Sequence, residues 1–319
     1  MNDKTSLVNS LETYLAETYS LFELFEIKRD EFANVLLDAK LDLDESVETV
    51  SQLALLSDSC DQPFLSFLES QKFYPLTLNQ KNLKILLCSS KLMELTYPKD
   101  VRLLSLDDPK YRFFELSNDM AKKRLQNSFP NVINSTVVIP SSANVAQHSV
   151  VIEKNVIIES NVTIYERVVL KSGCIVRAGA VVGSPGFEYK NNGKSILPVV
   201  HDGITIIGEE VEIGPGSIIG QGFYKRPTIL GYQVKTDNLV SIAHGSLVGD
   251  RTLIAAGAVI AGSVRIGNDS WIGPGAVVSN GLVLGSNSFV ALGSHVFKDV
   301  QEGDRVIGSP ARSLPRREK

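Results

Sequence analysis

The sequence predicts a mainly β fold: a parallel β-helix of stacked six-residue repeats over residues 131–319, preceded by a small α+β domain over residues 1–130. Three observations carry that expectation. Aliphatic residues recur at every sixth position through the second part of the chain. Small or β-branched residues follow them at a fixed offset. Before about Val138 neither regularity is present.

The repeat is the primary signal. Counted in sixes from Leu230, the positions run through Ile242, Val248, Ile254, Ile260, Ile266, Ile272 and on to Val296, and eleven of the twelve are aliphatic, with Thr236 the exception. Four residues after each stands a small or β-branched residue such as Ser246, Ala258 or Ser270, with Leu282 departing from the rule. The register is also kept from Ile152 to Val182 and again at Ile207, Ile213 and Ile219. A period of six matches neither a helix nor an alternating strand. It matches a prism in which each hexad supplies one short strand and one corner, and three hexads close a coil of eighteen residues. The aliphatic side chain points inward and stacks on its equivalents in neighbouring coils. Glycine follows the aliphatic position at Gly208, Gly214, Gly231, Gly249, Gly267, Gly273 and Gly285, which predicts corners with positive φ.

Two stretches interrupt the register. Residues 184–203, SPGFEYKNNGKSILPVVHDG, are rich in Gly, Asn and Pro and read as a loop thrown out of the solenoid. Residues 220–229 make a smaller break. Long loops on a rigid repeat scaffold commonly carry function, and a crossover that stabilises an oligomer is the competing role.

The preceding part has a different texture. SLVNSLETYLAETYSLFELF places Leu7, Leu11, Leu15 and Phe22 at helical spacing, and LKILLCSS and VRLLSL read as strands. The stretch 107–125 reads as a helix opening at Asp108–Pro109, since Asp caps a helix and Pro suits its first turn.

Composition narrows the class of function. Hydrophobic residues make up 43% and charged residues 21%, the balance of a globular protein with ample core material. A net charge of −4 gives no basic surplus for nucleic acid. Cys60, Cys88 and Cys174 are too scattered for a disulfide framework or zinc site, so a reduced cytoplasmic setting is expected. No run approaches the roughly 18 apolar residues of a membrane span, and the acid-bearing N-terminus does not read as a signal peptide.

Three passages resemble one family: NVTIYERVVLKSGCIVRAGAVVGSPGFEY (161–189), VEIGPGSIIGQGF (211–223) and KTDNLVSIAHGSLVGDRTLIAAGAVIAGS (235–263). Together they are similar to the UDP-3-O-(3-hydroxyacyl)glucosamine N-acyltransferases of lipid A synthesis, hexapeptide-repeat enzymes. The third passage is the most specific. FLSFLESQKFYPL and DDPKYRFFEL are weakly similar to that family's uridine-binding domain. The resemblance implies a left-handed parallel β-helix, a homotrimer and active sites in clefts between neighbouring prisms. It implies that His244 is the general base and that the Gly262 N–H holds the oxyanion. The chemistry agrees with the first role. Amide formation from a thioester requires a base for the amine proton, and histidine is suited to that near neutral pH. Coil arithmetic places Gly262 one coil beyond His244, and a residue without a side chain lets a carbonyl approach the backbone. Asp237 and Asn238 are candidates for orienting His244 or lining the acceptor pocket. Phe187, Tyr189, Phe67 and Phe73 are further substrate-binding candidates. The implied substrate is a nucleotide-linked amino sugar, with an acyl thioester on acyl carrier protein or CoA as co-substrate and no bound cofactor or metal.

The sequence departs from the family at four points. The family's second cleft histidine falls on Gly281, beside Asn280, which can take part of a donor's role but not an acid–base one. Ser70 stands where the uracil-binding pattern has Asn. The sequence ends soon after the repeats, where the family adds a helical stretch that engages acyl carrier protein. Gly308-Ser309-Pro310-Ala311-Arg312 resembles the terminal pattern of CoA-dependent hexapeptide acetyltransferases. The tail and the missing second histidine support the alternative, an acetyl-CoA-dependent sugar O- or N-acetyltransferase of surface polysaccharide synthesis, whereas the internal loop, the Asp-Asn…Ala-His motif and the N-terminal domain support the nucleotide-sugar N-acyltransferase. A carbonic anhydrase on the same scaffold would need three converging histidines. His148, His201, His244 and His295 are well separated in sequence. A catalytically silent scaffold is a further alternative, in which removing His244 would change no acyl-transfer rate.

Overall fold

The computed structural model describes Leu11, Thr13, Tyr14, Ala16 and residues 29–39, 41, 50–58, 60–223 and 226–308. It contains three parallel sheets of eight strands each, wound as a β-helix of the left-handed hexapeptide class, and a separate small parallel sheet with helices. The predicted N-terminal helix lies largely outside the described residues, as do residues 309–312 of the terminal pattern.

Hexads form strands because alternate side chains find opposite environments. Ile242, Ile260 and Val278 are buried in the prism, whereas their preceding neighbours face outward. Each strand pairs with the one a full coil away, as in the column Ser241, Val259, Val277 and His295. The inward aliphatic residues, from Val150 to Val300, form one continuous core along the axis. The exception Thr236 is buried too, and its hydroxyl accepts the Gly214 N–H at 3.0 Å. A hydroxyl is tolerated there because it satisfies a backbone donor.

The corners correct one expectation. The glycines after the aliphatic position do not have positive φ. They are required because the next coil passes too close for a side chain: a Cβ on Gly214 would lie 2.3 Å from the Asp237 carbonyl oxygen, and one on Gly285 would lie 2.3 Å from the Glu302 nitrogen. Left-handed backbone falls three residues after the inward position wherever the register is unbroken from Leu230 to Val290. It recurs in strict sixes at Gln233, Leu239, Gly245, Arg251, Gly257, Ser263, Asp269, Gly275, Gly281, Asn287 and Gly293.

The compact units of the structure differ from a division at residue 130. One comprises residues 1–24, 128–186 and 201–319; the other comprises 25–127 together with 187–200. Within the first, Leu11 and Tyr14 are buried, and the Tyr14 hydroxyl donates to the Glu209 carboxylate. Burial drives the Tyr14 phenol far above its usual range. Burial also pushes the Cys174 thiol up to about 12, so it behaves as a small core hydrophobe.

The second unit has helix α1 (Arg29–Asp38) and a parallel sheet of β1 (Gln52–Leu53), β2 (Phe64–Leu68), β3 (Leu83–Cys88) and β4 (Arg102–Ser105), side by side in that order. It also has α2 (Tyr74–Leu78) and α3 (Pro109–Arg124). The strand-like runs are therefore β3 and β4. α3 opens as its cap residues predict, with the Asp108 carboxylate accepting the Tyr111 N–H at 2.9 Å. The excursion predicted as a loop contains an antiparallel hairpin, Tyr189–Asn191 with Ile196–Pro198. It docks on α3. Buried Asn118 donates to the Pro198 carbonyl at 2.7 Å and accepts the Val200 N–H at 2.8 Å. Lys190 lies 4.1 Å over the Phe114 ring. The solenoid stack resumes across the gap, since Leu170 pairs with Ile207 and Ile207 with Leu230.

Candidate active site at the His244 corner

His244 stands at the corner between the strands Ser241–Ile242 and Leu247–Val248. Strict coil spacing stacks Gly262 and Asn280 at the same corner of the next two coils. Backbone hydrogen bonds tie the column together: the Ser263 N–H donates to the His244 carbonyl at 2.8 Å, and the Gly281 N–H donates to the Gly262 carbonyl at 2.9 Å. The residue after each, Gly245, Ser263 and Gly281, has positive φ, so all three corners share one backbone geometry.

The His244 ring is half-buried and lies between bare backbones. A Cβ on Gly262 would sit 2.7 Å from both Cε1 and Nε2 of His244. The reactive edge of the imidazole therefore faces Gly262 directly. The Gly262 N–H has no acceptor among the described residues. At the adjoining Cδ2 position of the ring, a Cβ on Gly186 would sit 2.8 Å from His244 Cδ2 and 2.7 Å from His201 Nε2. His201 packs edge-on against His244, with ring centroids 5.1 Å apart and planes at 68°. Phe223 also packs on His201, at 6.2 Å between centroids. Arg226 comes up to Gly245, where a Cβ would be 3.8 Å from the Arg226 Cβ. Both interruptions of the register thus deliver residues to this corner: Gly186 and His201 from the first, Phe223 and Arg226 from the second.

The other predicted residues are dispersed. Asp237 and Asn238 are exposed at the preceding corner, where the Asp237 carboxylate accepts the Asn238 N–H at 2.8 Å. The strand Ser241–Ile242 separates them from His244. Asn280 is exposed two coils beyond His244, and a Cβ on neighbouring Gly281 would meet nothing within 4 Å. The remaining four lie in the second unit. Phe187 and Tyr189 stack edge to face at 4.8 Å, and Phe187 is 89% exposed. Tyr189 lines a cleft of about 300 Å³ with Glu69, Asp107, Lys110, Tyr111 and Lys190. Phe67 packs on Phe113 and Phe114, at 5.0 and 6.0 Å between centroids. Phe73 is exposed, with the Lys72 ammonium 5.6 Å over its ring. Among the described residues, no three His, Cys, Asp or Glu stand close enough to hold a metal ion.

Sequence reasoning missed Gly186, His201, Phe223 and Arg226. Their signal was the breaks themselves. Each break returns to the stack with a conformation that only the fold specifies.

Residues 149–184 match the family model for bacterial transferase hexapeptide (six repeats). The chain is 46% identical over 133 residues to UDP-3-O-acylglucosamine N-acyltransferase 2 of Legionella pneumophila strain Paris, covering 42% of this chain and 38% of that one. It is 31% identical over 133 residues to UDP-3-O-acylglucosamine N-acyltransferase of Methylorubrum extorquens strain PA1, with the same shares covered. The matches therefore span well under half the length of these relatives. Among solved structures, a UDP-N-acetylglucosamine acyltransferase from Bacteroides fragilis is similar with a TM-score of 0.42 and 20% identity, covering 53% of this chain and 68% of that one.

Proposed function

We propose that the protein is an acyltransferase that moves an acyl group from a thioester to the amine of a nucleotide-linked amino sugar, of the UDP-3-O-acylglucosamine type. The observation that carries this reading is the apposition of the His244 Cε1–Nε2 edge to the bare backbone of Gly262 one coil away. Similarity to enzymes named UDP-3-O-acylglucosamine N-acyltransferase supports the substrate class.

The chemistry follows from that apposition. The sugar amine attacks the thioester carbonyl while His244 accepts its proton. The carbonyl oxygen gains negative charge and takes a hydrogen bond from the Gly262 N–H. Collapse of the tetrahedral species breaks the C–S bond. The thiolate leaves and recovers the proton from His244, giving amide and free thiol. Asp237 and Asn238 belong to the acceptor side of a neighbouring cleft in this reading, since they occupy a different corner of their own prism. Asn280 marks the far end of the His244 corner column. Phe187, Tyr189, Phe67 and Phe73 belong to nucleotide recognition. The cleft is formed between prisms of a homotrimer. No helix among the described residues is long and apolar enough to cross a membrane.

A second reading, acetyl transfer from CoA, is favoured by the terminal Gly308-Ser309-Pro310-Ala311-Arg312 motif. One assay decides between them. UDP-3-O-acylglucosamine and other amino-sugar nucleotides are incubated with acyl carrier protein and CoA donors in parallel. Turnover with a nucleotide sugar that is lost in His244→Ala is expected. Failure of every donor–acceptor pair, or full activity in His244→Ala, overturns the proposal.

A further inference from the structure

We infer that His201 is a positioning residue for His244: its buried ring forms the wall that fixes the imidazole of the base against Gly262. The inference rests on the acyl-transfer reading for its catalytic consequence, but its geometry is independent of substrate.

His244 gets no lateral support from either neighbouring glycine. Gly262 meets the Cε1–Nε2 edge of the ring and Gly186 meets Cδ2, both with backbone only. A histidine side chain on a corner rotates about two bonds, and a base misplaced by about 1 Å can lose on the order of 10²-fold in rate. His201 adds a side-chain wall to this backbone-lined setting. Only 6% of its surface is exposed, and its ring makes a T-shaped contact with the His244 ring.

The wall is itself anchored. The buried Arg167 guanidinium donates to the Asp202 carbonyl at 2.7 Å, and the Gln221 amide donates to the Gly203 carbonyl at 3.2 Å. The Gly203 N–H donates to the Gly222 carbonyl at 3.1 Å. A Cβ on Gly203 would lie 2.4 Å from the Gly222 carbonyl carbon, so this strand of the excursion is pressed onto the second loop. Phe223, from that loop, packs on the His201 ring as well. The excursion therefore returns to the solenoid through a fixed three-residue segment, and the ring it presents there is the one in contact with the base.

The test compares His201→Ala, His201→Phe and Gly186→Ala with the wild-type protein. Two readouts are used: kcat and KM for acyl transfer, and the rate at which diethylpyrocarbonate modifies His244, followed by peptide mass spectrometry. His201→Ala should lower kcat about tenfold or more with KM within twofold, and should raise the modification rate of His244. His201→Phe keeps the ring wall and should retain kcat within about threefold. Gly186→Ala, whose methyl would press on both rings, should lower kcat without altering either histidine. Unchanged kcat and modification rate in His201→Ala overturn the inference, as does equal loss of kcat in the Ala and Phe variants. If the wild-type protein turns over no donor–acceptor pair, the acyl-transfer reading fails. The modification rate still decides whether His201 restrains His244, and an unchanged rate overturns the inference in that case too.

Discussion

His244 and Gly262 are coupled through a distance that admits no added atom. A methyl group on Gly262 would arrive 2.7 Å from Cε1 and Nε2 of the base, so either the ring or the corner must move. The corner is held by the hydrogen bond between the Gly281 N–H and the Gly262 carbonyl, whereas the His244 side chain turns about two single bonds. The ring therefore moves. Gly262→Ala should lower kcat by about 10- to 100-fold while the melting temperature changes little. His244→Gln keeps the side-chain bulk but accepts no proton at neutral pH, and it should lower kcat by about 10²-fold or more. Parallel measurement of kcat and thermal unfolding checks both. A Gly262→Ala protein of full activity would disconnect that glycine from the chemistry. The stacking of Gly262 on His244 was legible in the sequence because eighteen residues return to the same corner wherever the register is unbroken, whereas His244 itself was singled out by the resemblance of the passage around it. His201 was not, because it reaches that corner through a hairpin excursion whose return point obeys no repeat. The contacts that fix the residues following it, from Arg167 to Asp202 and from Gln221 to Gly203, span 35 and 18 residues of sequence.

At the scale of the strand and corner, two classes of glycine do different work. Gly214 is needed for close approach, since its Cβ would meet the Asp237 carbonyl at 2.3 Å, and backbone on both sides cannot yield. Gly257 is needed only for its φ of +67, and a Cβ there meets nothing within 4 Å. Gly214→Ala should therefore cost at least about 2–3 kcal/mol, the upper range of overpacking. Gly257→Asn should cost within about 0.5 kcal/mol, because Asn adopts left-handed backbone readily. Denaturant unfolding of the two variants checks the contrast, and equal losses would refute the assignment. The hexad pattern revealed where corners lie but not which glycine faced a crowded neighbour. That depends on the separation of coils, and the sequence does not carry it. Charge ladders stitch coils at the same scale. Arg177 bridges Glu159 at 2.7 Å and Glu212 at 2.6 Å, one residue on each of three stacked coils. The Arg177 guanidinium, hydrogen-bonded to Glu159, holds that carboxyl below its ordinary range. A lowered folded-state pKa contributes stability above the unfolded value, near pH 4, and loses it as pH falls through the folded value. Arg177→Met should thus be less stable than wild type at pH 7 by under about 1 kcal/mol, as for partly exposed pairs. The gap should close below about pH 4, measured by unfolding across pH.

At the scale of the molecule, the excursion links the chain's two kinds of material. Residues 187–200 leave the solenoid in sequence yet pack in the unit built around α3, through Asn118 and Lys190. A composition boundary near residue 130 marks the change of texture, but it does not reveal this return, since a hairpin's docking partner is set by tertiary contact. The prism itself leaves apolar side chains outside. Leu239 and Leu292 are about 70% exposed at corners, at 70% and 71%, and Ile218, Leu253, Val259 and Trp271 project from the faces. Scattered apolar exposure is ordinary on a folded surface. Repeated on stacked positions of a stiff solenoid, it is the pattern that a symmetric neighbour covers. In the proposed homotrimer a neighbouring prism would give the His244 corner a second wall, from which the acceptor-binding candidates Asp237 and Asn238 would reach it. Static light scattering should therefore give three times the chain mass. Dilution that dissociates the assembly should abolish acyl transfer while leaving the β-sheet circular dichroism signal in place. A monomer with full turnover would place the whole reaction within one prism. Asp237 and Asn238, one strand away from the base, would then have no route to the substrate.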